Sequence, residues 1–366
     1  MRLLVHGLAG YTKGGIETFV LGMAEHMSDD VVFDYVIEKN VLYNKVKMPG
    51  KGDTLMIEPK RHKLANLKSW IKLLKERKEI DSAVYFNWYS MAWLFPAIIA
   101  RLYGYRVIIH AHNNNLHNCG VLQRTMHSVG RFVQKIMKIT RLTNSELSAN
   151  FFFGNKPATM IYNAIDTKKF AFKEDVRNRI RKDLSIENKH VYGFAGRIAF
   201  QKNPLFLMDV FNEIKKIDAD AAFLVCGDGD MMTETKNKAD ELGLYVNFVG
   251  SVSNVQDYYQ AMDVFVLPSH FEGLGIVLIE AQCSGLPCVA SADVIPQDAK
   301  VTDLVEFVKL ADSPKKWAEK IADLMTIRND RKHNTLIMGD SNFNLEKESL
   351  RLENVLKQCV CRNIST

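Results

Sequence analysis

The chain alternates short apolar runs with longer amphipathic stretches along most of its 366 residues. Short apolar runs between turn residues are typical of buried strands, and apolar residues three or four positions apart are typical of helices that pack on one face. Strands that alternate with helices form parallel sheets with helices on both faces. The pattern breaks at residues 163–166 and restarts at Val191. We therefore predict an α/β protein with two doubly wound, Rossmann-like domains and a ligand crevice between them.

The same periodicity places individual strands and helices. In the first half of the chain it predicts strands at 2–6, 31–36, 82–86, 106–110, 141–143 and 159–161. It predicts helices there at 16–27, 64–77, 91–102 and 122–138. In the second half it predicts strands at 191–195, 222–226, 246–249, 264–266 and 287–290, again separated by helices.

Charge is spread unevenly between the two halves. Residues 1–165 contain 22 Lys and Arg and 12 Asp and Glu, whereas residues 166–366 contain 26 and 30. A basic first half indicates an anionic surface or substrate for the first domain. The predicted helix 122–138 contributes a stripe of basic residues at three- and four-residue spacing, formed by Arg124, His127, Arg131, Lys135 and Lys138. This stripe is either a solvated helix face or a docking surface for anionic lipid headgroups or a lipid diphosphate.

Other features fit a cytosolic protein. The six cysteines include no Cys-x-x-Cys pair and are most simply reduced thiols. The first strand lacks the long apolar region of a signal peptide. The least charged stretch, 82–100, is interrupted by Asn87, Ser90 and Pro96, so it fits a strand, a loop and a buried helix better than a membrane span. The basic charge has no interleaved aromatic groove, which argues against nucleic acid as a partner.

Two glutamates eight positions apart, Glu272 and Glu280, enclose a glycine turn and the start of an apolar helical run. Backbone N–H groups at a helix start, together with the helix dipole, suit an anion such as a diphosphate. Carboxylates repel phosphate, so functional glutamates here would bind hydroxyl groups. A diphosphate between two hydroxyl-binding groups describes a nucleotide sugar. The other interpretation is a capping glutamate followed by a partly buried one, with no ligand.

A second candidate group follows the first strand of the second half. The strand ends in Gly196-Arg197, and Lys202 lies five positions later. Arg197 could hold phosphate oxygens in a bidentate manner, and Lys202 could act as a point charge. A surface arginine and lysine beside a loop is the alternative. Nearby, Asp228 and Asp230 flank a glycine, and they either bind Mg²⁺ or Mn²⁺ or form a structural turn.

The first half carries weaker signals at two strand ends. Gly14 and Gly15 lie at the first strand-to-helix turn, where small residues let a ligand approach the backbone, although any such turn uses glycines. His110 and His112 close another strand, and their period-two spacing gives them the same facing. One of the two histidines could therefore reach the crevice at the carboxyl edge of the sheet, where ligands of such folds bind. A structural histidine is the alternative.

These motifs together resemble the Gly-Arg-x4-Lys and Glu-x7-Glu signatures of the retaining GT-B glycosyltransferases, in particular family 4, also called glycosyltransferase group 1. The resemblance implies a GT-B fold with two Rossmann-like domains facing each other across a cleft. It implies an acceptor-binding domain over 1–165, joined by a C-terminal helix within 345–366, and a nucleotide-sugar-binding domain over 166–344. The family has a metal-free Gly-Asp-Gly turn where this chain has 227–229, which favours the structural turn.

The resemblance also implies roles for individual residues. Arg197 and Lys202 would hold the donor diphosphate, Glu280 the ribose hydroxyls, and Glu272 the hydroxyls of the transferred sugar. His112 would lie near the donor sugar. The remaining donor contacts would come from the backbone of Gly14, Gly15, Gly196, Gly273, Leu274, Gly275 and Ile276.

Two positions depart from the family pattern. Ala164 replaces the glycine of the usual Asn-Gly-Val/Ile-Asp hinge, which puts a left-handed turn there in doubt. Residues 293–299 replace the common Gly-Gly-x-x-Glu loop and resemble a subgroup that builds exopolysaccharide or capsular polysaccharide.

The reaction implied by the resemblance is a retaining, metal-independent transfer that uses no cofactor. A hexose or N-acetylhexosamine would move from a nucleoside-diphosphate sugar, expected to be UDP-linked, to a glycan or lipid-diphosphate-linked acceptor. The enzyme would be cytoplasmic or peripheral on the inner face of the cell membrane. Two alternatives remain: an epimerase or phosphorylase of the same fold, and a non-catalytic subunit that binds nucleotide sugar.

Overall fold

The structure is a computed structural model, and it describes residues 1–8, 15–39, 48, 51–114, 116, 119–292, 294–326 and 330–361. The chain forms two compact units. Unit 1 consists of Met1–Ile165 and Leu345–Thr366, and unit 2 consists of Asp166–Asn344. Each unit is a parallel sheet with helices on both faces, so the predicted α/β class and the two Rossmann-like domains are confirmed.

Unit 1 contains a seven-stranded sheet in the described residues, in the order β3-β2-β1-β4-β5-β6-β7. Its strands are β1 (Arg2–His6), β2 (Val32–Glu38), β3 (Thr54–Ile57), β4 (Ala83–Trp88), β5 (Arg106–Ala111), β6 (Thr140–Thr143) and β7 (Thr159–Met160). The helices before residue 166 are α1 (Gly15–His26), α2 (Lys63–Glu76), α3 (Phe95–Leu102), α4 (Val121–Ile136) and α5 (Glu146–Phe153).

Three local features of unit 1 differ from the prediction. The edge strand β3 was not predicted, because a strand of four residues shows too little periodicity to be detected in the sequence. Helix α3 begins at Phe95 rather than at residue 91, because Pro96 fits only the first turn of a helix. Helix α5 was also missed: its cap is Ser145, whose side chain accepts the N–H of Ser148, and this signal is local.

The final helix of the described chain, α14 (Leu345–Cys361), completes unit 1. Leu352 and Leu356 are fully buried in a core that also contains Phe19 and Met23 of α1. The carboxylate of Glu353 accepts hydrogen bonds from the backbone and hydroxyl of Ser28, at 2.8 and 2.5 Å. The end of the chain therefore supplies part of the core of the first domain.

Unit 2 contains a six-stranded sheet in the described residues, in the order β10-β9-β8-β11-β12-β13. Its strands are β8 (His190–Ala195), β9 (Ala221–Cys226), β10 (Val246–Gly250), β11 (Val264–Leu267), β12 (Cys288–Ser291) and β13 (Val305–Val308). Its helices are α6 (Thr167–Phe170), α7 (Glu174–Asp183), α8 (Pro204–Ile217), α9 (Met232–Glu241), α10 (Val255–Ala261), α11 (Ile276–Cys283), α12 (Pro314–Met325) and α13 (Arg331–Asp340). The edge strand β13 was not predicted from the sequence.

Arginines fix the carboxyl end of α10. The guanidinium of Arg331 donates to the backbone oxygens of Tyr259, Gln260 and Met262, each at 3.0 Å, and Arg177 donates to two of the same three. Cations at a helix C-terminus satisfy its free carbonyl groups and oppose the negative end of the dipole. Tyr259, which lies in this last turn, is therefore held in place at the site described below.

Candidate functional site

A cavity of about 310 Å³ opens at the carboxyl edge of the unit 2 sheet. Its floor is formed by the residues that follow three adjacent strands: Gly196 and Arg197 after β8, Gly227 and Asp228 after β9, and Ser251 after β10. Helices α10 and α11 close one side through the side chains of Tyr259 and Glu280. The carboxyl ends of parallel strands are the usual place for ligands in doubly wound folds.

The cavity depends on a close backbone approach between β8 and β9. A Cβ atom on Gly227 would lie 1.8 Å from the backbone oxygen of Gly196, and Gly227 has a φ of +138°. Both facts require glycine at this position. The loops that follow these two strands are also tied together, since Ile198 donates to the backbone oxygen of Asp228 at 3.0 Å and accepts from the N–H of Met231 at 3.0 Å. The turn at 227–230 thus shapes the cavity wall.

A buried ion pair joins the two predicted donor motifs. Lys202 Nζ lies 2.6 Å from Glu272 Oε1, and both side chains are about nine-tenths buried. Ser269 donates its hydroxyl to the same Glu272 oxygen at 2.6 Å. The backbone N–H of His270 donates to the oxygen of Gln201 at 2.8 Å, so the two loops are also tied through their main chains. The structure therefore brings Lys202 and Glu272 together from positions far apart in the sequence.

Arg197 is exposed to solvent, unlike Lys202. Its side chain is 74% exposed at the cavity rim, and its nearest carboxylate, Asp230, lies 3.6 Å away. An ion pair at this distance and exposure contributes little to stability. The guanidinium is thus available to an anion in the cavity.

Glu280 lines the cavity from the second turn of α11. Tyr259 donates its hydroxyl to Glu280 Oε2 at 2.9 Å. Burial raises the pKa of Glu280 to about 7, although the Tyr259 hydrogen bond favours the charged form. A carboxyl with this pKa can accept hydroxyl hydrogen bonds and exchange a proton near neutral pH.

The glycine turn before α11 has the geometry that suits an anion. Gly275 has a φ of +78° and precedes Ile276, the first residue of the helix. The N–H groups in the first turn of a helix have no partner within it. Leu274 is buried and anchors this loop, whereas Gly273 is exposed. The predicted backbone donors therefore lie between Glu272 and Glu280.

In unit 1, His110 and His112 share one facing, as their spacing predicts. Their ring centroids are 4.1 Å apart, and Phe19 contacts both rings edge-on. His112 Nε2 lies 3.0 Å from Asn87 Oδ1, and burial lowers the pKa of His112 to about 3. His112 is therefore neutral at physiological pH and can only donate or accept a hydrogen bond there.

Of the two glycines predicted at the first strand-to-helix turn, only Gly15 lies among the described residues. Gly15 is the first residue of α1, and a Cβ atom there would meet no atom within 4 Å. Gly14 lies outside the described residues.

A second cavity, in unit 1, was missed by the sequence analysis. It has a volume of about 480 Å³. Its lining includes three cations, Lys60, Arg61 and Lys63, together with the aromatic residues His6, Trp88, Tyr89 and Trp93, and none of the described residues that line it is a carboxylate. Cations beside aromatic rings suit an anionic ligand that carries a ring face. The sequence does show a basic turn at 60–63, but nothing in it indicates that this turn lies beside residues 88–93.

The predicted basic stripe on α4 needs one correction. His127 is buried, with its ring stacked on Phe151 at 4.2 Å and its Nδ1 accepting the N–H of Met91 at 3.1 Å. His127 therefore belongs to the packed face of α4. The prediction was wrong here because a three- and four-residue spacing alone does not distinguish a solvated stripe from the edge of a buried face. Among the described residues, no helix combines the length and hydropathy needed to cross a membrane.

Comparisons with known proteins identify the family of unit 2. Residues 176–335 match the family described as "Glycosyl transferases group 1". Unit 2 carries a glycosyl transferases group 1 domain. The predicted recognition is thus confirmed at the level of this family.

Relatives extend the similarity over more of the chain. The "Putative glycosyltransferase EpsF" of Bacillus subtilis (strain 168) is 26% identical over 88% of this chain and 87% of its own length. An Escherichia coli protein, "UDP-Gal:alpha-D-GlcNAc-diphosphoundecaprenol alpha-1,3-galactosyltransferase", is 28% identical over 62% of each chain. The crystal structure of Anabaena Alr3699/HepE in complex with UDP aligns over 98% of this chain and 99% of its own, with a TM-score of 0.79 and 18% identity. The fold of the chain is thus that of the GT-B glycosyltransferases, and unit 2 matches one of their families.

We expect Gly227→Ala to disrupt the cavity. A methyl group at 1.8 Å from the Gly196 oxygen must force β8 and β9 apart, and the backbone is strained as well. The combined cost should be about 3 kcal/mol or more, seen as a lower melting temperature. Gly250→Ala is the matched control, because Gly250 also has a positive φ but an added Cβ would meet nothing within 4 Å. Equal effects of the two substitutions would contradict the close-approach argument.

Proposed function

We propose that the protein transfers a hexose or N-acetylhexosamine from a UDP-sugar to a glycan or lipid-diphosphate-linked acceptor, with retention of configuration and without an essential metal. The observation that carries this proposal is the arrangement in unit 2. Glu272, paired with Lys202, begins the loop that leads through the glycine turn into α11, and Glu280 of that helix lines the cavity at the carboxyl edge of the sheet together with Arg197. That order matches sugar, diphosphate and ribose in a nucleotide sugar.

The proposed donor contacts follow from charge and polarity. Arg197 and Lys202 bind the diphosphate, and the N–H groups from Leu274 to Ile276 donate to its oxygens. Glu280 accepts hydrogen bonds from the ribose hydroxyls. Glu272 accepts hydrogen bonds from hydroxyls of the transferred sugar while it remains close to Lys202.

In the proposed reaction, the bond between the anomeric carbon and the diphosphate oxygen breaks as the acceptor hydroxyl oxygen bonds to that carbon. The hydroxyl proton passes to a phosphate oxygen of the leaving diphosphate, which departs as the nucleoside diphosphate. Arg197 and Lys202 stabilise the negative charge that grows on this group, and such stabilisation is often the largest catalytic contribution. His112 is proposed to lie near the donor sugar as a neutral hydrogen-bonding group.

We further propose that the unit 1 cavity holds the acceptor. Lys60, Arg61 and Lys63 would bind a phosphate of a lipid-linked saccharide, and Trp88 and Trp93 would pack against sugar rings. The name of the E. coli relative includes an acceptor of this chemistry, a sugar on diphosphoundecaprenol. Synthesis of a surface polysaccharide is the process that this acceptor class and the loop at 293–299 favour.

The direct test is nucleoside diphosphate release. The protein is incubated with UDP-glucose, UDP-galactose, UDP-N-acetylglucosamine or GDP-mannose, with EDTA present and with or without a lipid extract. We expect UDP release from one UDP-sugar that increases with the extract, and an α-linked product. Interconversion of UDP-sugars without UDP release would indicate an epimerase, and binding without turnover would indicate a non-catalytic subunit. Activity lost in EDTA and restored by Mn²⁺ would overturn metal independence and implicate Asp228 and Asp230.

Lys202→Ala should reduce the turnover number at saturating donor by about 100-fold or more, the usual effect of removing one group that stabilises transition-state charge. The matched control is Lys238→Ala. Lys238 makes an equally short ion pair, at 2.6 Å from Asp209, on the surface of the same unit. Near-normal turnover of the Lys202 variant would remove its role in binding the diphosphate. Melting temperatures of both variants separate a catalytic loss from unfolding.

UDP binding should release protons near pH 6.5. Burial raises the pKa of Glu280 to about 7, and hydroxyl donors from a ribose stabilise the carboxylate and lower that pKa. The terminal phosphate of UDP also titrates near this pH, so the variants are compared: Glu280→Gln should release about half a proton less per UDP than the unmodified chain, measured by calorimetry in buffers of different ionisation enthalpy. Glu280→Gln should also weaken binding roughly tenfold, whereas Glu241→Gln on the exposed surface should change neither. Equal proton release by the unmodified chain and by Glu280→Gln would contradict the assignment.

A further inference from the structure

We propose that α4 is an interfacial helix that docks unit 1 on an anionic lipid bilayer. The proposal rests on the surface of this helix and extends the proposed function, because it explains how a lipid-linked acceptor would meet the unit 1 cavity. It does not depend on catalysis by unit 2.

One face of α4 is apolar and open to solvent. Five large apolar side chains on it are 54–82% exposed: Val121, Leu122, Val129, Phe132 and Ile136. Helical geometry places them within about 100° of each other around the axis. The opposite face packs against the unit through the buried residues His127, Gly130 and Gln134. A 16-residue helix with a stripe of this kind exposes far more apolar surface than the isolated hydrophobic residues that are normal on a protein.

Basic residues run beside the apolar stripe. Arg124 and Lys135 are exposed on α4, Lys138 is exposed just after it, and Arg131 is half-buried where it donates to the backbone oxygen of Asn150. The helix contains no Asp or Glu. An amphipathic helix with apolar side chains next to lysine and arginine is typical of segments that lie in the interface of an anionic membrane.

The charges favour a bilayer over a second copy of the chain. Two copies that met through α4 would bring the two basic stripes close together, with no carboxylate on either helix to pair them. A bilayer with anionic headgroups supplies both the apolar layer and the compensating charge. Each basic residue near such a surface contributes about 1 kcal/mol.

The docking face continues into the unit 1 cavity. Leu122 belongs to the apolar stripe and also lines the cavity, together with Gln123 and Met126 of the same helix. Tyr89, on the other side of the cavity, is also exposed. When α4 lies at the headgroup level, the cavity opens at that level too. A saccharide on a lipid phosphate would then reach Lys60, Arg61 and Lys63 while its lipid chain stays in the bilayer.

The test is co-sedimentation of the full chain with vesicles of phosphatidylcholine and phosphatidylglycerol at 3:1, compared with phosphatidylcholine alone. We expect binding to the anionic vesicles only. Phe132→Ser with Ile136→Ser should weaken it roughly tenfold or more, because two inserted side chains are lost. The control is Ile80→Ser with Leu102→Ser, two exposed apolar residues of unit 1 outside α4. Equal binding by both double variants would overturn the proposal.

The charge contribution is tested in the same assay. Lys135→Glu with Lys138→Glu should reduce binding to anionic vesicles, whereas Lys72→Glu with Lys75→Glu, two exposed lysines on α2, should have a smaller effect. UDP release from the donor without vesicles should be unchanged in all four variants, which separates a failure of docking from a failure of the proposed transferase. If the α4 variants instead convert a dimer to a monomer in analytical ultracentrifugation without changing vesicle binding, the face is a self-association surface and the docking proposal is wrong.

Discussion

The buried ion pair between Lys202 and Glu272 determines how the rest of the proposed donor site is arranged. Both side chains are buried, so loss of one would leave the charge of the other uncompensated. The pair joins the turn after β8 to the loop after β11, and the glycine turn and α11 follow directly from that loop. An incoming diphosphate would add negative charge beside Lys202, and the lysine would then be shared between phosphate and carboxylate. Within the pair, the charge of each side chain is therefore compensated by its partner.

The two units use similar sheets for different chemistry. Unit 2 forms its cavity from glycine backbone, one exposed arginine and a carboxyl that titrates near neutral pH. Unit 1 places neutral, buried histidines at one strand end and a group of cations and aromatic rings around its cavity. This difference agrees with the proposed donor, recognised through hydroxyl groups and a diphosphate, and with the proposed acceptor, recognised through sugar faces and a separate phosphate.

The sequence alone predicted most of the fold because strongly apolar strands carry a clear periodicity, and β1 agrees with its prediction at both ends. It missed short elements such as β3 and α5, which tertiary packing and a single cap stabilise. The motif around Lys202 and Glu272 was predictable because loops at the carboxyl edge of adjacent strands must converge. The unit 1 cavity and the buried position of His127 were not, since both depend on which segments pack together across long separations in sequence.

Helix α14 has a consequence for synthesis of the protein. Unit 2 is a continuous segment, so all of its residues are synthesised before those of α14. Unit 1 begins first, yet its core lacks Leu352 and Leu356 until residues 345–361 are available. The domain that is translated first is thus the one that is completed last, and its apolar surface around Phe19 and Met23 stays uncovered in the interval. This order makes unit 1 the part of the nascent chain that most needs protection from aggregation.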